Sequence, residues 1–464
     1  MDDSNPDNAL AGLLKVADLT HLAPAPGSVF SGAQEPVLAS PHRLATAIGT
    51  AMAAQGCAVA EIWRQRSGES QDVRVDLRRA AHALDPARYL KQNGYSLSRA
   101  FHYNEPANGF FQTGDGRWVF INSLRPRLKN GLLELLDCAN TTPALTAAFT
   151  RFKGLEFEAA AHERRLPVTM IRSAAEWAHH PHGRLLAATP VFTIEKLAPG
   201  APQAWASAAR PLTGVRAVEL SHILAGPGIG RCLAEQGADV LRIAPPRQTD
   251  PINFVVDTGF GKRSAFLDLD QAADLDTLRR LTADGDVFIE SFAPGALARR
   301  GLDPARLAAG HKGLIVVSIS CFGLRDGPWS QHLGYDTNAQ AATGINMAEG
   351  MDGRPGVPVT VLLADYLTAY LGAFGALAGL LKRAADGGSY HVRVSLAQTC
   401  MWVQGLGLME KPTAVAPGVE PVLRRMNSPF GELEYLAPVT QYSRTPAYWG
   451  SPPVPLGAHR AEWL

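Results

Sequence analysis

The stretch from Leu212 to Ile243, LTGVRAVELSHILAGPGIGRCLAEQGADVLRI, leaves the chain few choices of fold. Val215, Ala217, Val218 and Leu220 form a short apolar strand after Gly214. Ser221 to Pro227 is rich in turn residues and reads as a loop. Ile229, Leu233 and Ala234 follow at helical spacing, Gly237 stops the helix, and Ala238 to Ile243 is a second apolar strand. Two strands joined by a crossover helix of this length form a βαβ unit of a parallel sheet. Ligands of such sheets sit at the carboxyl ends of the strands. The loop His222 to Pro227 is therefore the first place to look for chemistry.

The pattern continues downstream, which makes the class α/β. Strands are expected at Ser264–Leu269, Val287–Glu290, Leu314–Ile319 and Val392–Leu396, with helices at Ala273–Ala283 and 365–383. Residues 211–464 thus read as a large parallel-sheet domain with an extended C-terminal tail. Residues 41–200 read as a smaller α+β part, with a Gly114-Asp115-Gly116 hairpin between aromatic strands. Residues 1–40, rich in Pro, Gly, Ser and Asp, are expected to be an irregular arm, and 201–210 a linker. Ile48–Leu77 aligns without gaps on Leu367–Leu396: an Ala/Gly-rich helix, a basic last turn, a glycine turn, then Val-Arg-Val-x-Leu. This repetition points to internal duplication.

Other bulk features narrow the function. A formal net charge of +1 gives no electrostatic case for nucleic acid or a membrane surface. The five cysteines contain no CxxC pair, which argues against zinc and against a disulfide framework, and fits a cytoplasmic protein. The start MDDSNPDNAL is unlike a signal peptide. The apolar run Tyr366–Leu381 falls short of the roughly 20 residues of a membrane span. NAD is not expected: Arg231 stands where the dinucleotide fingerprint needs its third glycine, and the strand ending Arg242-Ile243-Ala244 carries no ribose-binding acid. His179, His180 and His182 lack further ligands, so no metal is expected and a surface helix end is the reading.

The motifs in order resemble the family III CoA-transferases, the carnitine and bile-acid CoA-transferase type of the acyl-CoA transferase/racemase superfamily. The resemblance runs through Gly214–Ile243, Gly261-Lys262-Arg263-Ser264 with Leu267-Asp268-Leu269, and Asp286 to Gly295. It continues through Ser318 to Gly323, Gly334-Tyr335-Asp336, Ala364-Asp365, Gly388–Leu396 and the closing Pro452–Gly457. Ser291, Ala293 and Cys321 depart from the family pattern. The first part resembles the end of the family's large domain (Ile48–Leu77) and its small domain (107–196), out of their usual order. A permuted or partly duplicated arrangement follows from the resemblance.

That resemblance implies a Rossmann-like large domain, a homodimer, and transfer of CoA from an acyl-CoA to a carboxylic acid through an aspartyl intermediate. A carboxylate suits covalent catalysis because it is ionised at neutral pH without help. The family's nucleophile is expected in the glycine-rich loop after Gly-Tyr-Asp, which places it at Asp352, with Asp336 as second nucleophile candidate or orienting residue and Glu349 as third. For CoA, the loop Ile223, Leu224, Ala225 is expected to offer backbone contacts. Arg242, Arg247, Lys262, Arg263 and Arg299 are the expected phosphate partners. The rival readings are an α-methylacyl-CoA racemase, against which Tyr335 argues because racemases carry histidine there, and a non-catalytic CoA-binding homologue.

Overall fold

The computed structural model describes residues 4–32, 35–97, 105–247, 250–311, 313–323, 327–410 and 419–464. The N-terminal segment is not an irregular arm: it holds helix α1 (Pro6–Val16). Asn5 caps it by accepting from the Asp7 N–H, and Pro6 occupies the first turn, where no backbone donor is needed. Leu10, Leu13 and Leu14 share its buried face, which packs on helix α2 (Leu44–Ser67). After α2 the chain turns at Gly68 into β1 (Val73–Asp76).

The smaller α+β part follows. β2 (Gly109–Gln112) and β3 (Trp118–Ile121) form the expected hairpin, with Gly116 at a φ of 76° in its turn. Helices α3 (Pro126–Leu136), α4 (Thr142–Phe149) and α5 (Gly154–Glu163) intervene before β4 (Val168–Met170) pairs antiparallel with β3. Phe111, Leu132, Phe149, Phe157 and Val168 make a core of their own between sheet and helices. β5 (Phe192–Ala198) then leaves this part and crosses to the large sheet.

The large sheet is built by β6 (Arg216–Leu220), helix α6 (Ala225–Glu235), β7 (Asp239–Ala244), β8 (Lys262–Phe266), β9 (Val287–Glu290), β10 (Ile315–Ser320), helix α7 (Asp336–Thr343), helix α8 (Leu363–Asp386) and β11 (Ser389–Ser395). Its strand order is β8-β7-β6-β9-β10-β11-β5, parallel throughout except for the antiparallel edge strand β5. β10 is apolar on both faces because both are covered. The winding reverses between β6 and β9. The loops leaving their carboxyl ends part there and open a crevice.

α8 is long and apolar enough to cross a membrane, yet 94% of its apolar window is buried inside the fold. The two repeated units take the same form. α2 and α8 are each 24 residues long, begin at aligned positions and pack against each other. Asp76 and Ser395, also aligned, each cap the helix that follows the strand. β11 takes β5, from the first half, as its antiparallel neighbour. β1 takes the short strand Gln441–Tyr442, from the second. The tail also contains a hairpin, Leu423–Ser428 with Gly431–Leu436, which its prolines and aromatics did not announce.

Candidate active site

The loop after β6 is shorter than its turn residues imply, because α6 begins at Ala225 rather than after Pro227. Pro227 is the third helical residue, where its missing N–H has no acceptor to lose. The glycines serve close packing. A Cβ on Gly228 would lie 2.5 Å from the Ala369 Cβ on α8, and one on Gly230 would lie 2.1 Å from a Glu219 carboxylate oxygen. Ile223 has a φ of 63°, a strained conformation for a β-branched residue. Its N–H donates to Asp250 Oδ2 at 3.0 Å. Leu224 packs inward with Phe254 and Tyr366, whereas His222, Ile223, Ala225 and Gly226 line open space.

Beneath the loop lies a buried charge network that absorbs two of the expected phosphate ligands. Lys262 Nζ donates to Glu219 and to the Pro227 carbonyl. Desolvation, with Arg242 nearby, lowers the lysine's pKa to about 8. Arg242 sits 3.6 Å from Glu219 and donates to Asp250 Oδ2 at 2.6 Å. Both side chains are buried, so they support the loop from below rather than meeting a phosphate. Arg263 is committed to Asp239 and to the Trp463 ring. Arg299 lies exposed on the turn Ala298–Arg300 and lines none of the cavities around the crevice. Of the five basic residues, Arg247 lies on the rim of the crevice.

Asp250 joins the two parts of the chain. It accepts from Ile223, from Arg242 and, at 3.0 Å, from Arg125 of the smaller part. Burial alone would raise its pKa. The hydrogen bond with His222 and the charge of Arg242 override that and hold the carboxyl well below the usual range. Arg125 also hydrogen-bonds Tyr335, whose hydroxyl is pushed up by burial.

The centre of the crevice is a pair of carboxylates at two helix starts. Asp336 is the first residue of α7 and Asp365 lies in the first turn of α8, where helix dipoles favour an anion. The Asp365 N–H donates to Asp336 Oδ2 at 2.8 Å, and Gln340 donates to the other Asp336 oxygen. Burial raises Asp336 to about 7. Asp365 is raised well above the carboxylate range, by burial first and then by Asp336.

Three cavities adjoin one another beside this pair, and two of them reach it. One of about 710 Å³ carries Arg125, Arg127, Arg247, His332, Ser291 and Ser330. A second, of about 240 Å³, joins it through Ser291, Cys321 and Tyr335 and reaches Asp365 between Ile223 and Gly226. A third, of about 730 Å³, is mostly apolar and takes Asp336 and Asp365 as its acidic end. Its walls come from both parts of the chain, with Phe110 and Phe120 facing Phe254 and Leu362.

Asp352 stands apart from this crevice. It occupies, with Gly353, the tip of a two-residue turn closed by Met351 and Arg354. Its φ is 52° and it is exposed, so its Asp-Gly pair supplies the positive φ values such a turn requires. Glu349 is buried against Ser40 and His42 Nδ1 and ties the N-terminal segment to the helices after α7. The three neighbouring histidines point apart: His179 is exposed, His180 stacks on Trp177, and His182 is buried against the Phe322 carbonyl rather than at the surface. Among the described residues no cluster of three or more His, Cys, Asp or Glu side chains is arranged to hold a metal.

Asp365 is the residue that sequence reasoning left without a role, although Ala364-Asp365 was part of the resemblance. The repeat gives a comparison inside the chain. The position aligned with Asp365 is Thr46, whose N–H donates to Glu35 at 2.9 Å just as the Asp365 N–H donates to Asp336. The first unit thus keeps the supporting carboxylate and has a hydroxyl where the second has an acid.

The chain matches CoA-transferase family III over residues 25–206 and again over 212–456. It belongs to that family. An acetyl-coenzyme A transferase from Hypoxylon pulicicidum is 33% identical over 267 residues, 54% of this chain and 45% of that protein. A succinate–glutarate CoA-transferase from Agrobacterium fabrum is 33% identical over 205 residues, 40% of this chain and 51% of that protein. The crystal structure of a CAIB/BAIF family protein from Brucella suis is 32% identical, with a TM-score of 0.40 over 42% of this chain and 55% of that one. The chain spans about half the length of the curated relatives it matches. In this family III member the match falls into two blocks that meet between β5 and β6.

Proposed function

We propose that this chain transfers CoA from an acyl-CoA to a carboxylic acid, with Asp365 as the carboxylate that carries the intermediates. One observation supports this above all. A buried carboxylate pair closes one end of an apolar cavity, and the small cavity at Ile223 links Asp365 to an arginine-lined one, so a thioester can lie along them with its nucleotide end on the arginines. The names of the relatives, which are CoA-transferases, agree with that reading. The strand order of the large sheet supports its reading as Rossmann-like, and the two-block match supports a permuted or partly duplicated arrangement of the family unit.

In the proposed sequence the Asp365 carboxylate attacks the thioester carbonyl, the C–S bond breaks, and a mixed anhydride and CoA thiolate form. The thiolate attacks the aspartyl carbonyl, releasing the first acid and leaving an aspartyl–CoA thioester. The acceptor carboxylate attacks that thioester, forming a second anhydride and freeing the thiolate again. Attack of the thiolate on the acceptor's carbonyl yields the new acyl-CoA and restores Asp365. Covalent steps of this kind divide one difficult exchange into easier ones. Asp336 acts as a positioning residue through the Asp365 backbone, and Ile223, Ala225 and Arg125, Arg127 and Arg247 contact CoA.

Mass spectrometry after incubation with acyl-CoA and hydroxylamine tests the assignment. The expected result is an aspartyl hydroxamate at Asp365, absent from Asp365→Asn. Adduct at Asp352 instead would refute the assignment. Solvent deuterium entering the α-carbon with no transfer would replace it with a racemase.

A further inference from the structure

The third cavity has a chemical character that selects among acids. Its wall is formed by Phe110, Phe120, Ile223, Phe254, Val361 and Leu362. Its volume of about 730 Å³ lies in the range that encloses drug-sized ligands. That is far more room than an acetyl or succinyl group needs. Its titratable lining is one-sided: four acids, Asp85, Asp250, Asp336 and Asp365, stand with a single cation, Arg125. That guanidinium is already held by Asp250 at 3.0 Å and by Tyr335. The remaining polar lining includes the neutral amides of Asn108, Asn122 and Asn253.

We propose that the acid exchanged here is a monocarboxylic acid with a bulky apolar body, and that short dicarboxylic acids are excluded. The inference rests on the reading of Asp365 above, since it places the reacting carboxyl at the acidic end and the body of the acid between the phenylalanines. The body gains the hydrophobic contact that the walls offer. The second carboxylate of succinate or glutarate would have to enter among apolar side chains with no free cation, beside four acids. An unpaired charge in such a place is strongly disfavoured. The walls also explain two strained residues. Ile223 and Val361 are both β-branched with positive φ, 63° and 59°, and both line this cavity. Val361 is held there by Pro358 and Gln340, the same Gln340 that bonds Asp336.

The test uses the full chain and two readouts. The first is calorimetric binding of octanoate, succinate and glutarate at matched ionic strength. The second is CoA transfer to each acid from acetyl-CoA. Octanoate is expected to bind at least 100-fold more tightly than either dicarboxylate and to be the better acceptor. Phe110→Arg places a cation in the wall and is expected to narrow that ratio at least tenfold, whereas Phe110→Leu preserves it and controls for folding. Equal or tighter binding of a dicarboxylate, or no binding of octanoate, overturns the inference. Octanoate binding without any Asp365 adduct would refute the transfer reading and leave the inference standing. An Asp365 adduct with succinate accepted as well as octanoate does the reverse.

Discussion

Asp250→Asn is the sharpest test of how the crevice is held. The carboxylate binds two guanidiniums and a backbone N–H from three separate segments: Arg242 at 2.6 Å, Arg125 at 3.0 Å and Ile223 at 3.0 Å. The Asp250 side chain is 2% exposed, Arg242's is 4% and Arg125's is 20%. Breaking a buried ion pair by removing one partner costs about 3–5 kcal/mol. Arg242 keeps Glu219 at 3.6 Å and Arg125 has some access to water, so the lower end applies, about 3 kcal/mol. The amide oxygen can still accept from Ile223, but it no longer draws in both arginines. Arg125, which lines the cavities beside Asp365, loses its anchor, and that loosens the binding surface. Urea unfolding should therefore show a loss of about 3 kcal/mol, and KM for acyl-CoA should rise more than kcat falls. The pH dependence is diagnostic. Because the folded pKa of Asp250 is depressed, its contribution is complete above the unfolded value of about 3.9 and disappears only as pH falls through the folded value. The titration of Asp250 itself therefore gives the gap between wild type and variant no slope from about pH 6 to 8. A gap under about 0.5 kcal/mol would refute the network as described.

Further outcomes follow from the same geometry. Asp336→Asn removes the charge that, after burial, raises the Asp365 carboxyl, so the acid limb of kcat/KM should move down by about one pH unit; an unmoved limb rules out coupling between the two. Gly228→Val drives a side chain into Ala369 and should destabilise by about 1–3 kcal/mol in urea while lowering kcat, because α6 and the start of α8 carry the site. Asp352→Asn should leave kcat/KM within about twofold of wild type, since an exposed turn residue rarely matters by more than 0.5 kcal/mol.

How much of this could be read beforehand depends on which physics is local. The apolar runs of β6, β7, β9 and β10 and the crossover between β6 and β7 are local, and they appear where the sequence places them. Helix α1 was also legible, with Asn5 as cap, Pro6 at the start, Asp7 in the first turn and Lys15 in the last, but the polar composition around it concealed the pattern. Gly and Pro read locally as loop residues and so displace the expected start of α6, whereas Gly228 answers to Ala369, far away in sequence. Arg242 and Lys262 read as phosphate ligands in the sequence because basic side chains suit phosphate. Glu219 pairs with Arg242 in strand register and lies within reach of Lys262, and only the assembled sheet shows that. Asp365 is the extreme case. Its neighbours Leu363 and Ala364 describe an ordinary helix start, and its chemistry comes from Asp336, from burial and from two cavities formed by distant segments.

The apolar cavity is walled by β2 and β3 on one side and by the start of α8 on the other, all within one chain. Its completeness is therefore set by a tether rather than by an association constant. Linked modules experience effective concentrations on the order of millimolar, far above those at which an enzyme is assayed. The homodimer that the resemblance implies is not needed to bring these walls together. Turnover per chain should stay constant over a roughly thousandfold dilution, whereas a site shared between two subunits would fade as they part. With Thr46 in the aligned position of the first unit, titration to saturation should count one covalent CoA for each chain.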